Sequence, residues 1–214
     1  IFKIGYNCEY DVFASNIILE EDKTIFTENY KGESSEFIIP MAGKHNVLNS
    51  LLAIGVSLKL GLSFEEMKSG IKNIEATSMR LQVIKKDNIT IINDCYNASP
   101  DSMKSALDVL SAYKEGRKIA ILGNMNELGD KSFDSHKEVG RYAKDKVDHL
   151  IVIGDYLEAY EEGYAKENII KFKTQEEFIE NIKNTISLND VILVKASRGV
   201  KFENIVLALK NAAI

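Results

Sequence analysis

The chain has 214 residues, 45% of them apolar, enough for one large or two modest domains with real cores. A formal charge of -5 and a pI near 5.4 argue against a nucleic-acid surface, and no apolar run reaches the length of a membrane span. Two cysteines, Cys8 and Cys95, are too few for a disulfide scaffold or a four-ligand zinc site, so a reducing, cytoplasmic setting is the expectation.

The first forty residues read as strands. Ile1–Ile4, Val12–Leu19, Thr24–Asn29 and Glu36–Ile39 are β-rich runs separated by charged or Gly/Ser-containing turns. Because residue 1 is Ile and already lies in such a run, a fragment of a longer protein is expected. A helix is predicted over His45–Leu60, with Val47, Leu48, Leu51, Leu52, Ile54, Val56 and Leu58 as one broad apolar face and Gly61 as its stop. Ser63 and Glu66 form a capping-box signature that opens a second, short helix. A hinge is placed at Ala76-Thr77-Ser78, dividing the chain into residues 1–77 and 78–214.

Beyond the hinge, Arg80–Lys85 and Ile89–Asn93 read as a hairpin across Asp87-Asn88. Strands follow at Lys118–Gly123, His149–Gly154, Asn168–Phe172 and Val191–Ala196. Helices are predicted at Pro100–Tyr113, Asp134–Lys146, Gln175–Ile186 and Lys201–Asn211. This alternation predicts an α/β fold with a mostly parallel sheet covered on both faces. Ligands of such sheets bind beyond the carboxyl ends of the strands. Four polar clusters fall there: "NDCYNASP" from Asn93, "GNMNELG" from Gly123, "GDY" from Gly154 and "KASRG" from Lys195.

In the first cluster, Ser99 and Pro100 are explained as an N-cap and a first helical residue. Asp94, Tyr96 and Asn97 are not, and a carboxylate with an amide and a phenol suits a ribose, a polar ring or a peptide; a well-bonded turn is the plainer alternative. Gly43-Lys44 is no phosphate loop, since His45 follows the lysine and no glycine precedes it at 38. His45, Asn46 and Asn49 lie on the first turn of a helix, where amides suit the edge of an adenine and also simple capping. Arg80 suits an oxyanion or a surface ion pair. Lys195 and Arg198 put two cations at a strand end, a place to hold a carboxylate or phosphate. His136 is a possible ligand-side imidazole. No Gly-x-Gly-x-x-Gly follows a strand, which argues against hydride transfer.

In order along the chain, "GKHNVLNSLLAIGVSLKLG", "MR" at Arg80, "DCYNASPDSM", "ILGNMNELGDKSFDSHKEVG" and "VKASRG" resemble the motifs of the Mur ligases. The "YNASPDS" string is most similar to the branch that adds D-alanyl-D-alanine to a UDP-N-acetylmuramoyl-tripeptide. The resemblance implies the C-terminal part of a P-loop-type central domain followed by a Rossmann-like C-terminal domain. It implies ATP contacts from His45, Asn46, Asn49, Arg80, Asp94, Tyr96 and Asn97. It places Asn126, Glu127, His136, Lys195, Ser197 and Arg198 on the substrate side. None of these residues is expected to transfer a proton or attack as a nucleophile. The phosphate loop, the Mg2+ ligands and the modified lysine of the family are expected upstream of Ile1, so the piece alone is expected to be inactive, and a monomer is expected.

Ser99, Asn124 and Ala196 stand where the family pattern has Asn, Asp and Gly. The first departure puts an amide contact in doubt, the second a carboxylate, and the third a backbone that needs positive φ. The alternatives are a related ligase acting on another amino acid or on a folate- or cyanophycin-like acceptor, and a non-catalytic binding module of the same fold.

Overall fold

Alternating apolar residues make the first forty positions strands, one face of which must be covered. The computed structural model describes residues 1–74 and 77–212. It divides into two units, Ile1–Ala76 and Thr77–Ile214. Of the predicted hinge, Ala76 lies outside the described residues.

In the first unit, β1 (Ile4–Gly5), β2 (Val12–Leu19), β3 (Thr24–Tyr30) and β4 (Glu33–Ile39) form one sheet in that order. β1 runs parallel to β2, and the other pairs are antiparallel. The opening strand is shorter and later than expected, because only Ile4 and Gly5 find partners, in Val12 and Phe13. Helices α1 (Lys44–Lys59) and α2 (Phe64–Lys72) cover the sheet. Val12, Phe26, Phe37 and Ile39 meet Val47, Leu51, Ile54, Met67 and Ile71 in the core. The single broad apolar face expected of α1 is divided: Val47, Leu51 and Ile54 are buried, whereas Leu48, Leu52 and Val56 are exposed. Gly61 ends α1 at φ 81°, a value costly for other residues, and Leu62 N–H closes the turn on the Ser57 carbonyl. The Ser63–Glu66 capping box is formed in both directions.

The second unit is a six-stranded sheet with the order β5-β6-β10-β7-β8-β9. β5 (Gln82–Lys86) and β6 (Ile89–Asn93) are the predicted hairpin, paired antiparallel. β7 (Lys118–Leu122), β8 (His149–Ile153), β9 (Ile169–Phe172) and β10 (Val191–Lys195) are parallel to β6. α3 (Pro100–Ser111) packs on β7 and β10, α4 (Ser132–Ala143) on α3, and α5 (Leu157–Tyr164) on α4, β8 and β9. The other face is covered by α6 (Gln175–Glu180), α7 (Ile182–Thr185) and α8 (Glu203–Asn211), through Phe178, Ile182, Ile205, Val206 and Leu209.

Two differences from the expected elements have local causes. The helix expected over 175–186 breaks at Asn181, whose backbone leaves the helical region at φ -105° and ψ 8°. The short helix α5 was not expected, since "LEAYEEGY" carries little apolar pattern. It forms because α4 and α5 approach closely at two glycines: a Cβ on Gly163 would lie 1.9 Å from the Lys137 carbonyl oxygen, and one on Gly140 2.5 Å from that of Tyr160. No helix among the described residues is long and apolar enough to cross a membrane.

Candidate functional site at the carboxyl edge of the second sheet

β10 arrives last in the chain and inserts between β6 and β7. The chain leaving β10 enters α8 on one face, whereas the chains leaving β6 and β7 serve helices on the other. Turns that diverge from neighbouring parallel strands leave a crevice beyond the strand ends. The turns after β6, β7, β8 and β10 all lie on this edge, as their parallel register requires.

The turns are knitted by side chains that the sequence put on a ligand-facing surface. Lys195 ends β10 with its side chain 2% exposed. Its ammonium donates to Asp94 Oδ2 at 2.6 Å, to the Asn97 carbonyl at 2.7 Å and to the Asp94 carbonyl at 3.5 Å. An ammonium has three protons, and all three are engaged. Lys195 was expected on the substrate side; in this structure its charge is spent within the protein, on the residue expected to face the ribose. Ser197 is also buried; its hydroxyl accepts from Asn126 N–H at 2.8 Å and donates to the Ala98 carbonyl at 3.5 Å. It joins three turns.

His136, also expected on the substrate side, lies inside the second unit. It is fully buried, stacked on Tyr156 with ring centroids 3.9 Å apart. Met125 N–H donates to its Nε2 at 2.8 Å, so the ring proton sits on Nδ1 and is given to the Ser132 carbonyl at 2.6 Å. Burial holds its pKa below the ordinary histidine value, which keeps this neutral form. The imidazole braces the turn that carries Asn126 and Glu127. Cys95, wholly buried beside Asp94, has its thiol pushed up to about 12, chiefly by burial and then by the nearby carboxylates, so it is no nucleophile.

The groups left at the surface are Arg80, Tyr96, Asn97, Asn126, Glu127 and Arg198. The Arg80 guanidinium lies 4.3 Å from the centroid of the Tyr96 ring, itself 43% exposed. A cation stacked on an exposed phenol suits a planar base or an oxyanion. Asp94 keeps some exposure; its Oδ1 accepts Leu81 N–H at 3.1 Å, and each oxygen retains a free lone pair. Arg198 is drawn to Glu203 at 3.0 Å and to the Met79 sulfur at 3.2 Å. In the first unit, His45 and Asn49 are exposed on the first turns of α1, while Asn46 donates its amide to the Ala42 carbonyl at 2.9 Å and so caps the turn.

The three departures from the family pattern have structural readings. Ser99 caps α3, with its backbone N–H on Ser102 Oγ at 2.9 Å. Asn124 donates its amide to Asp155 at 2.6 Å and accepts Asp155 N–H at 3.1 Å, a pairing that a second carboxylate would turn repulsive. Gly154, at φ 120°, permits it, since a Cβ there would lie 2.4 Å from Asn124 Oδ1. Ala196 does not have positive φ, so its methyl is tolerated. Asp155 and Tyr156 are the rim residues that sequence reasoning left out of the candidate site, although the "GDY" cluster after β8 signalled them. The Met79–Leu81 backbone gave no signal.

The sequence pattern of the family described as "Mur ligase, glutamate ligase domain" matches residues 79–198. The chain belongs to the Mur ligase family. Among Mur ligases, it is 36% identical over 209 residues to the UDP-N-acetylmuramoyl-tripeptide–D-alanyl-D-alanine ligase of Bacillus subtilis, covering 94% of this chain and 45% of that protein. Its fold is similar to that of MurF from Acinetobacter baumannii, with TM-score 0.92, 31% identity, and 99% of this chain and 47% of that one covered. MurF from Thermotoga maritima, solved in complex with ADP, shares the fold at TM-score 0.80 and 24% identity, with 98% of this chain and 48% of that one covered. The chain thus spans about half the length of the Mur ligases it matches.

Proposed function

We propose that the chain is part of an ATP-dependent amide ligase that adds D-alanyl-D-alanine to UDP-N-acetylmuramoyl-tripeptide in the cytoplasm. In this reading residues 1–77 are the C-terminal portion of the central ATP-binding domain, and 78–214 are the Mur ligase C-terminal domain. The observation that carries it is the edge of the second sheet, where exposed Arg80, Tyr96 and Asn97 stand on a buried polar frame at a topological switch point. The identity to the Bacillus subtilis ligase supports the choice of substrate.

The residues fit a nucleotide. In the second unit, Arg80 with Tyr96 would take a base or phosphate, and Asp94 would accept ribose hydroxyls. Taken by itself, the first unit carries on α1 the exposed polar groups of His45 and Asn49, which suit an adenine edge. Asn126, Glu127 and Arg198 remain for the substrate side. The residues do not fit a metal: no group of three or more His, Cys, Asp or Glu among the described residues could hold one. Residues upstream of this chain would hold the Mg2+ of the ligase. The work of these residues is to orient reactants and exclude water from an activated carboxyl, with no proton transfer or nucleophilic attack.

The test is phosphate release that depends on both the UDP-linked tripeptide and D-alanyl-D-alanine. The 214-residue chain alone should release none. A hybrid joining it to the remaining half of the Bacillus subtilis relative should do so, and Arg80→Ala in that hybrid should raise the ATP KM ~10-fold or more. A folded hybrid that ligates only a different amino acid would overturn the substrate reading.

A further inference from the structure

The segment Met79–Leu81 is held in an unusual way. Met79 and Leu81 both have left-handed backbones, at φ 60° and 49°, which bulky residues seldom adopt without outside restraint. The restraints are visible. Leu81 N–H donates to Asp94 Oδ1 at 3.1 Å, and Tyr96 N–H donates to the Met79 carbonyl at 3.1 Å. Between these two bonds, Arg80 is laid over the Tyr96 ring at 4.3 Å. Asp94 is thus the clasp of the segment, and its other oxygen is taken by Lys195 at 2.6 Å.

We propose that Lys195 is a positioning residue for Arg80: acting through Asp94, it holds the Met79–Leu81 segment in its left-handed form and makes no contact with the incoming substrate. This rests on the ligase reading for its functional part. Three observations favour it. Lys195 ends β10, which is paired on both sides, so its ammonium is presented from the interior of the sheet and not from an edge strand. Its side chain is 2% exposed and its three protons are engaged, which leaves nothing for a ligand to grip. Without the ammonium, a carboxylate only 13% exposed loses its counter-charge and turns toward water, releasing Leu81 N–H. The strained backbone then relaxes, and Arg80 leaves the ring.

The experiment begins with amide hydrogen exchange on the 214-residue chain. Lys195→Met should speed exchange at Leu81 and Tyr96 by ~10-fold or more, with Leu193 and Ile151 in the central strands unchanged. Asp94→Asn, which keeps the side-chain shape and the Lys195–Asn97 bond, should do the same at Leu81 and serves if the lysine variant fails to fold. Unchanged Leu81 and Tyr96, or acceleration equal to that at Leu193, would overturn the proposal. In the ligase-competent hybrid, Lys195→Met should raise the ATP KM ~10-fold and leave that for D-alanyl-D-alanine within about twofold. The reverse pattern would make Lys195 a substrate contact and overturn the proposal as well. A hybrid without ligase activity would count against the ligase reading, while the exchange data still judge the role of Lys195.

Discussion

Glu28 is the residue whose chemistry conflicts most with its place. It lies on β3, opposite Ala14 and Ser35, on the face that carries Phe26 into the core, and it is fully buried with neither carboxylate oxygen hydrogen-bonded to a described residue. Burial, with Glu33 nearby, raises its pKa from 4.5 to about 7. The folded state therefore holds a proton that the unfolded state has released between these values. Stability is full below the unfolded pKa and falls as pH rises through 7, by roughly 1–3 kcal/mol. Urea denaturation of the first unit should show this decline between pH 5 and pH 8, and Glu28→Gln should flatten it. A wild-type profile that is level over that range would show that the carboxyl is solvated.

At the same scale, the sequence placed polar residues at the ends of the parallel strands but not the bonds they make there. Lys195, Ser197 and His136 look from their types like ligand-binding groups. Whether a polar side chain faces outward or ties its neighbours depends on turns brought together from distant positions, as with Lys195 and Asp94, 101 residues apart. Local spacing holds no record of that.

Among the elements, β6, β7, β8 and β10 were readable because each is a short, almost wholly apolar run ending in turn residues, as a strand buried on both faces must be. α5 was not readable, because its place is set by the approach of two backbones. Gly163→Ala should therefore destabilise the second unit by about 2 kcal/mol or more in chemical denaturation, since its methyl would meet backbone atoms that cannot retreat. Gly70→Ala in α2 is the matched control. Nothing lies within 4 Å of its added Cβ, and the change should be neutral or stabilising by about 0.5–1 kcal/mol. Equal effects at the two glycines would show that helix propensity, and not the α4–α5 approach, governs both.

For the molecule as a whole, each unit has its own sheet and its own core cluster. The general α/β class and the strand–helix alternation were plain from the sequence, while the insertion of β10 between β6 and β7 was not, since pairing order leaves no trace in a strand's own residues. That insertion brings the turns of β6, β7 and β10 side by side.

The two thiols are distributed one to each unit: Cys8 is open to solvent and Cys95 is sealed under the β6 turn. A maleimide offered to the native chain should add once, at Cys8, and a second time only after denaturation, as intact-mass spectrometry can count. Nature has thereby left a ready handle for attaching a dye without altering the sequence, and a silent reporter that speaks only when the β6 turn comes apart.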